Sequence, residues 1–134
     1  MNDIITVNTP GRGLHEITDL ICDAVERAIV DEGLCTVFVR HTSASLTIQE
    51  NADPSARLDL ENWINRLVPD HDPMYTHTSE GPDDMPSHIK AALTATSLSI
   101  PIMRGQLVLG TWQGIYLWEH RTRPHQREVV VSVV

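Results

Sequence analysis

Lysine occurs once in these 134 residues, at position 90, and phenylalanine once, at position 38. There is no run of basic residues, and the formal net charge is −8. General nucleic-acid binding depends on neutralising phosphates with Lys and Arg, so the composition argues against that class. Long apolar runs are missing too, and none approaches the ~20 residues needed to cross a bilayer. The opening stretch MNDIITVNTPGRG has no basic segment followed by an apolar one, so no signal peptide is read there. The expectation is a cytoplasmic protein with no membrane partner.

Cysteine is scarce. Cys22 and Cys35 form no CxxC pair and no zinc-finger spacing, and are expected as reduced, buried thiols. Neither a GxxxxGK[ST] nor a GxGxxG occurs, so phosphate-loop and dinucleotide fingerprints are absent. Ser43 and Ser45 lack a GxSxG elbow, and His41 close by in sequence does not make a triad.

What remains is globular: 41% hydrophobic and 21% charged residues, enough chain for one domain, 1–134, with an ordinary core. Residues 3–8 read as a short strand. Apolar positions 17, 20, 21, 24, 25 and 28 recur at helical spacing, with Gly33 as the expected stop. CTVFVRHT follows as a strand that SLTIQE continues or pairs with. A second helix starts at Asp53–Pro54, an N-cap followed by a first-turn proline, and ends at Pro69. Residues 70–87 are dense in Pro, Gly, Asp and Ser and read as a long loop, a feature that tends to be functional. A short helix, SHIKAALTA, comes next, then the strands SLSIPIM, QLVLG, GIYLWEH and REVVVSVV. Helices early and strands late indicate an α+β sheet protein more than repeating βαβ units, with two main helices and one short one. VVVSVV lacks polar alternation, so it is expected as a central strand or one covered by a second subunit.

Alternation along a strand assigns faces. Cys35, Val37, Val39 and His41 share one face; Ile115, Leu117, Glu119 and Arg121 share another. A carboxylate in step with Ile and Leu is costly unless paired or liganded. Glu119 is therefore either paired with Arg121 or part of a site, and His41 is either a bonded core histidine or a ligand. The loop adds His71, His77, Glu80, Asp83, Asp84 and His88, residue types that bind zinc and related ions, although no tight metal motif such as HExxH is present. His15, His71, His120 and His125 are not expected as ligands. In HTSASLTIQENADP, the hydroxyls of Ser43, Ser45 and Thr47, with Asn51 and the nearby helix start, suit an anion cradle. Trp112 and Gln113, bracketed by Gly110 and Gly114, read either as a glycine-permitted hairpin or as a pocket wall.

Taken together, HTSASL, ENADP, HxxEGxDDxxxHI and GTWQGIYLxExR resemble the YjbQ family, along nearly the whole chain. The resemblance implies an α+β fold on a mixed or largely antiparallel, sandwich-like sheet, assembled as a homotrimer, and a metal site of histidines, which by motif position are His41, His77 and His88. Asp83, Asp84, Glu119 and Arg121 match positions near that site and are expected in catalytic or orienting roles. The ion is expected to be divalent, zinc first, with magnesium an option for a diphosphate substrate. The activity implied is a secondary thiamine-phosphate synthase: a hydroxymethylpyrimidine diphosphate is joined to a thiazole phosphate and pyrophosphate leaves. Two alternatives stay open, a non-catalytic trimeric module that binds a metal or small anion, and a trimer whose inward polar groups are framework.

Overall fold

A computed structural model describes residues 1–134. Its strands form two antiparallel sheets packed face to face. The larger has β1 (Asn2–Thr9), β8 (His125–Val133), β3 (Gly33–Val39), β5 (Ser97–Met103) and β6 (Gln106–Leu107), in that order. The smaller has β2 (Gly13–Glu16), β7 (Gln113–Glu119) and β4 (Ala44–Glu50). Three helices, α1 (Thr18–Ala28), α2 (Pro54–Leu67) and α3 (Asp84–Leu93), complete an α+β fold. No helix is long and apolar enough to cross a membrane.

The core follows from period-two alternation. Cys35, Val37 and Val39 of β3 and Val129, Val131 and Val133 of β8 face Ala44, Leu46, Ile115 and Leu117 of the small sheet, and α1 adds Ile21, Ala24 and Val25. β8 lies between β1 and β3, with Val131 opposite both Asp3 and Val37. Its largely apolar run, broken only by Ser132, is that of a central strand. β7 is buried on both faces, because Tyr116 and Trp118 pack outward against Leu14 and Ile64 of α2. Each large side chain so buried contributes roughly 1.5–3 kcal/mol.

Local signals place the helix ends. Asp53 Oδ1 accepts the Ser55 N–H at 2.9 Å and caps α2, with Pro54 behind it. Arg104 and Gly105 turn β5 into β6 with φ of 53° and 75°, the geometry of a tight hairpin. Gly33 does not stop α1. Ile29 does so in the left-handed region (φ 52°), while Gly33 opens β3, where a Cβ would collide with the Val134 carbonyl oxygen. SLTIQE neither continues CTVFVRHT nor pairs with it: β4 crosses to the other sheet and pairs with β7. β2, four residues after the GRG turn, is too short to show a period. α3 starts at Asp84, three residues earlier than the sequence suggests, so both aspartates sit at its N-terminal end.

Lys90, the single lysine, is fully buried on α3, and its Nζ donates to Asn65 Oδ1 of α2 at 2.8 Å. Burial, reinforced by Arg12, lowers its pKa to about 8, against the pull of Asp70 and Asp83. Because the folded value lies below the unfolded one, the folded chain sheds this proton first, and stability rises with pH between about 8 and 10.5. At neutral pH the buried charge costs about 3 kcal/mol. Lys90→Met is expected to raise the melting temperature at pH 7, with the gap to wild type closing between pH 8 and 10.5; a constant gap across that range would contradict the assignment.

Candidate functional site

One end of the sandwich gathers most of the predicted polar residues. Ala44 pairs with Glu119 and Val39 with Val129, so the turn 41–43, the end of β7 and the start of β8 meet there. Glu119 is wholly buried. It does not bond the Arg121 side chain: Arg127 Nε donates to Oε1 at 2.7 Å, Arg127 Nη2 donates to Oε2, and Thr9 Oγ1 donates to Oε1 at 2.6 Å. The backbone N–H of Arg121 adds a bond to Oε2 at 3.0 Å. Burial pushes the Glu119 pKa up, but these bonds, Arg127's first, win and hold it below the usual carboxylate range.

The Arg121 guanidinium reaches instead to the long loop. Nε donates to Asp83 Oδ2 at 3.0 Å, Nη1 to Asp84 Oδ1 at 2.9 Å and Nη2 to the Glu80 carbonyl at 2.9 Å. Asp83 Oδ2 also accepts the Thr122 N–H and hydroxyl. Against the upward pull of burial, the Thr122 N–H and Arg121 hold Asp83 down at about 2. Asp83 thus locks the loop, and Asp84 keeps one oxygen free to face outward.

That oxygen, Asp84 Oδ2, lies 2.8 Å from His77 Nε2 and 3.4 Å from His88 Nε2. One ligand atom from each of the three residues falls within 4.8 Å of the other two. His88 Nδ1 donates to the Thr42 carbonyl at 2.8 Å, which puts the proton on Nδ1 and leaves the Nε2 lone pair pointing at the carboxylate. Two acceptors facing each other need a cation or a proton between them. Asp84 is buried, His88 partly so and His77 half-exposed, so the cluster opens to solvent on the His77 side. Two imidazoles and a carboxylate with an open position are a donor set that fits zinc. Two cavities open at this end, one including His77 and the other joined to the cluster only through Thr42, whose carbonyl holds His88. One, about 490 Å³, is lined by His71, Asp72, Tyr75, His77 and Thr78. The other, about 550 Å³, is lined by Phe38, Arg40, His41, Thr42, Ser43 and Thr96.

His77 and His88 come together, but with Asp84 rather than His41. His41 Nε2 accepts the Glu128 N–H at 2.8 Å, and its Nδ1 faces Arg127, so neither nitrogen points to the cluster. Ser45 is no phosphate ligand: it is fully buried, its Oγ bonded to His120 Nε2 at 2.9 Å under the helices. Thr47 lies on the same face. Ser43 does line the second cavity. Asn51, Trp112 and Gln113 sit at the opposite end of the small sheet, where Glu50 pairs with Gln113, roughly 20 Å from Glu119 along a seven-residue strand. Gln113 Oε1 accepts the Gly110 N–H and Asn51 Nδ2 donates to Glu16, so this is the glycine-permitted hairpin with an exposed indole. Among residues the sequence reading missed, Arg127 had a legible signal: it shares its parity with the inward Val129, Val131 and Val133. Thr9 and Thr42 had none, since their roles are made by distant partners.

Because the folded Asp83 value of about 2 lies below its ordinary 3.8, its stabilising effect is full above 3.8 and is lost as pH falls toward 2. Asp83→Asn is expected to cost about 2 kcal/mol at pH 7 in urea denaturation, with the difference shrinking from pH 4 downward. An equal difference at pH 3 and pH 7 would contradict it.

A family model described as UPF0047 protein YjbQ-like matches residues 3–134. A UPF0047 protein of Synechocystis is 56% identical over 131 residues, spanning 98% of this chain and 89% of the relative. UPF0047 protein YjbQ of Salmonella typhimurium is 45% identical, spanning 96% and 94%. Among solved structures, a conserved hypothetical protein of Thermus thermophilus is 36% identical with a TM-score of 0.88, covering 98% of this chain and 99% of its own. A YjbQ/UPF0047 protein of Clostridium acetobutylicum, also 36% identical, gives 0.86 over 100% and 99%.

Proposed function

The chain belongs to the YjbQ-like UPF0047 family, and from that premise we propose that it is a metal-dependent enzyme acting on phosphorylated small molecules. The best named reaction is the coupling of a hydroxymethylpyrimidine diphosphate to a thiazole phosphate to give thiamine phosphate. The observation that carries this reading is the meeting of His88 Nε2, His77 Nε2 and Asp84 Oδ2 around one point, with the His88 proton drawn off to Thr42.

His77, Asp84 and His88 would hold a divalent ion, and two imidazoles favour zinc over magnesium, which prefers oxygen ligands and retained water. Such an ion supplies charge neutralisation at a departing diphosphate. The rest is done by the chain. Arg121 fixes Asp84 through its other oxygen, and Thr42 fixes the His88 tautomer, the orienting contacts that ligands of this kind require. A cavity that includes His77 and another that includes Thr42, whose carbonyl holds His88, offer two reactants separate places. A group transfer between two substrates needs that arrangement more than a hydrolysis does.

A homotrimer and a cytoplasmic setting are part of the proposal. α2 and α3 cover the outer face of the small sheet, whereas Ile4 and Leu34 stand exposed on the large one, a surface that a second copy would bury. Free Cys22 and Cys35 suit a reducing compartment.

Elemental analysis of gently purified protein is expected to find about one zinc per chain, lost in His77→Ala/His88→Ala, with thiamine-phosphate formation falling in parallel. Absence of bound metal in the wild type after zinc is added back would overturn the reading.

A further inference from the structure

Arg127 carries five N–H donors that never lose their charge. Its side chain is 4% exposed. Nε and Nη2 are spent on Glu119, and Nη2 also reaches the Ser43 carbonyl at 3.3 Å. Every buried side-chain nitrogen and oxygen has a polar neighbour, but for Arg127 Nη1 that neighbour is His41 Nδ1, at 3.4 Å.

His41 cannot satisfy it. Both ring nitrogens face donors, Nδ1 the guanidinium and Nε2 the Glu128 N–H, and a neutral imidazole accepts at one nitrogen only. The bond to Glu128, at 2.8 Å, is the better formed, so the proton sits on Nδ1 and points to the same place as Arg127 Nη1. Protonating the ring would add a second unpaired donor beside a cation. Burial and Arg127 in fact lower the His41 pKa. Two donors, the buried and charged Arg127 Nη1 and the partly buried His41 Nδ1, therefore converge without an acceptor, a costly arrangement unless an oxygen meets both.

From this geometry we propose that a phosphoryl oxyanion binds between Arg127 Nη1 and His41 Nδ1, at the base of the cavity lined by Thr42, Ser43 and Thr96. Those three hydroxyls supply further donors to a tetrahedral group. Glu128, whose N–H bonds His41, has its carboxylate paired with Arg40 of the cavity lining at 2.8 Å. Phe38 offers an apolar wall for the rest of the ligand. Thr42 joins this place to the metal cluster, because its carbonyl holds His88. The site gives the proposed reaction a seat for a substrate phosphate and rests on that reading for its biological use, but its chemistry does not involve the metal.

The test uses the full chain, stripped of metal with chelator, and inorganic phosphate as probe. In wild-type protein, ¹⁵N–¹H NMR of the imidazoles is expected to show His41 protonated at Nδ1, with that proton shifting downfield as phosphate is added. In His41→Phe, phosphate affinity by calorimetry is expected to fall about tenfold or more, while zinc bound per chain stays unchanged. A His41 protonated at Nε2 in the wild type would overturn the proposal, and because that is read without any variant, misfolding cannot mask it. Phosphate binding that requires zinc and disappears in His88→Ala would also overturn it, making the anion a ligand of the metal. Acetate competing as well as phosphate would overturn the phosphoryl assignment. A chain that binds no zinc but shows the His41 response would sink the metal reading alone.

Discussion

The buried pair of Glu119 and Arg127 is the contact on which this end of the molecule depends. Glu119 ends β7 in the small sheet and Arg127 begins the inward face of β8 in the large one, so their bonds tie the two layers where the apolar core stops. Taking both charges out of water costs several kcal/mol per ion, and their attraction repays it only when the remaining lone pairs and protons are met. On the carboxylate they are met: Thr9 of β1 and the Arg121 N–H complete it. On the guanidinium they are met incompletely, and the shortfall faces His41. An apolar pair would pack these layers more cheaply, so retaining ions here makes sense if one of them has further work to do.

Two opposite imbalances lie close together around the turn 41–43. On one side His88 Nε2 and Asp84 Oδ2 face each other as acceptors beside His77; on the other Arg127 and His41 bring donors to another point. A protein interior removes such mismatches when they serve only stability, since each costs on the order of 1–3 kcal/mol. Elsewhere it has done so: Ser45 meets His120, Asn65 meets Lys90, and Arg12 meets both Asp70 oxygens. At this end the two groupings stand on either side of one turn, and the proposed cation and anion sites rest on that juxtaposition.

Much of the fold was legible because a sheet buried on one face leaves a period-two record. Alternation gave the inward sets of β3 and β7, the apolar VVVSVV marked a central strand, and Asp53–Pro54 located α2 to the residue. Parity names a face, however, and not the strand or side chain met across it. It left the sheet membership of β4 open and offered Arg121 as the partner of Glu119, when the true partner came from β8. The family resemblance grouped His77 and His88 with His41, whereas the structure brings them together with Asp84. Which way an imidazole turns is decided by the N–H of residue 128 and by Arg127, far along the chain and invisible to any local pattern.

The hydroxyl-rich stretch after His41 illustrates the same limit. Residues adjacent in sequence invite grouping into one cradle, yet from Ala44 onward they belong to a strand, and successive side chains part to opposite faces. Ser45 and Thr47 turn toward the helices, while Leu46 enters the core. Only the turn that precedes the strand, residues 41–43, is free of that alternation, and both halves of the site hang on it. His41 supplies a donor to one side through its ring, and Thr42 sets the tautomer of His88 on the other through its carbonyl. Those two residues share a peptide bond. The ring of one and the carbonyl of the next thus serve opposite sides of the same turn.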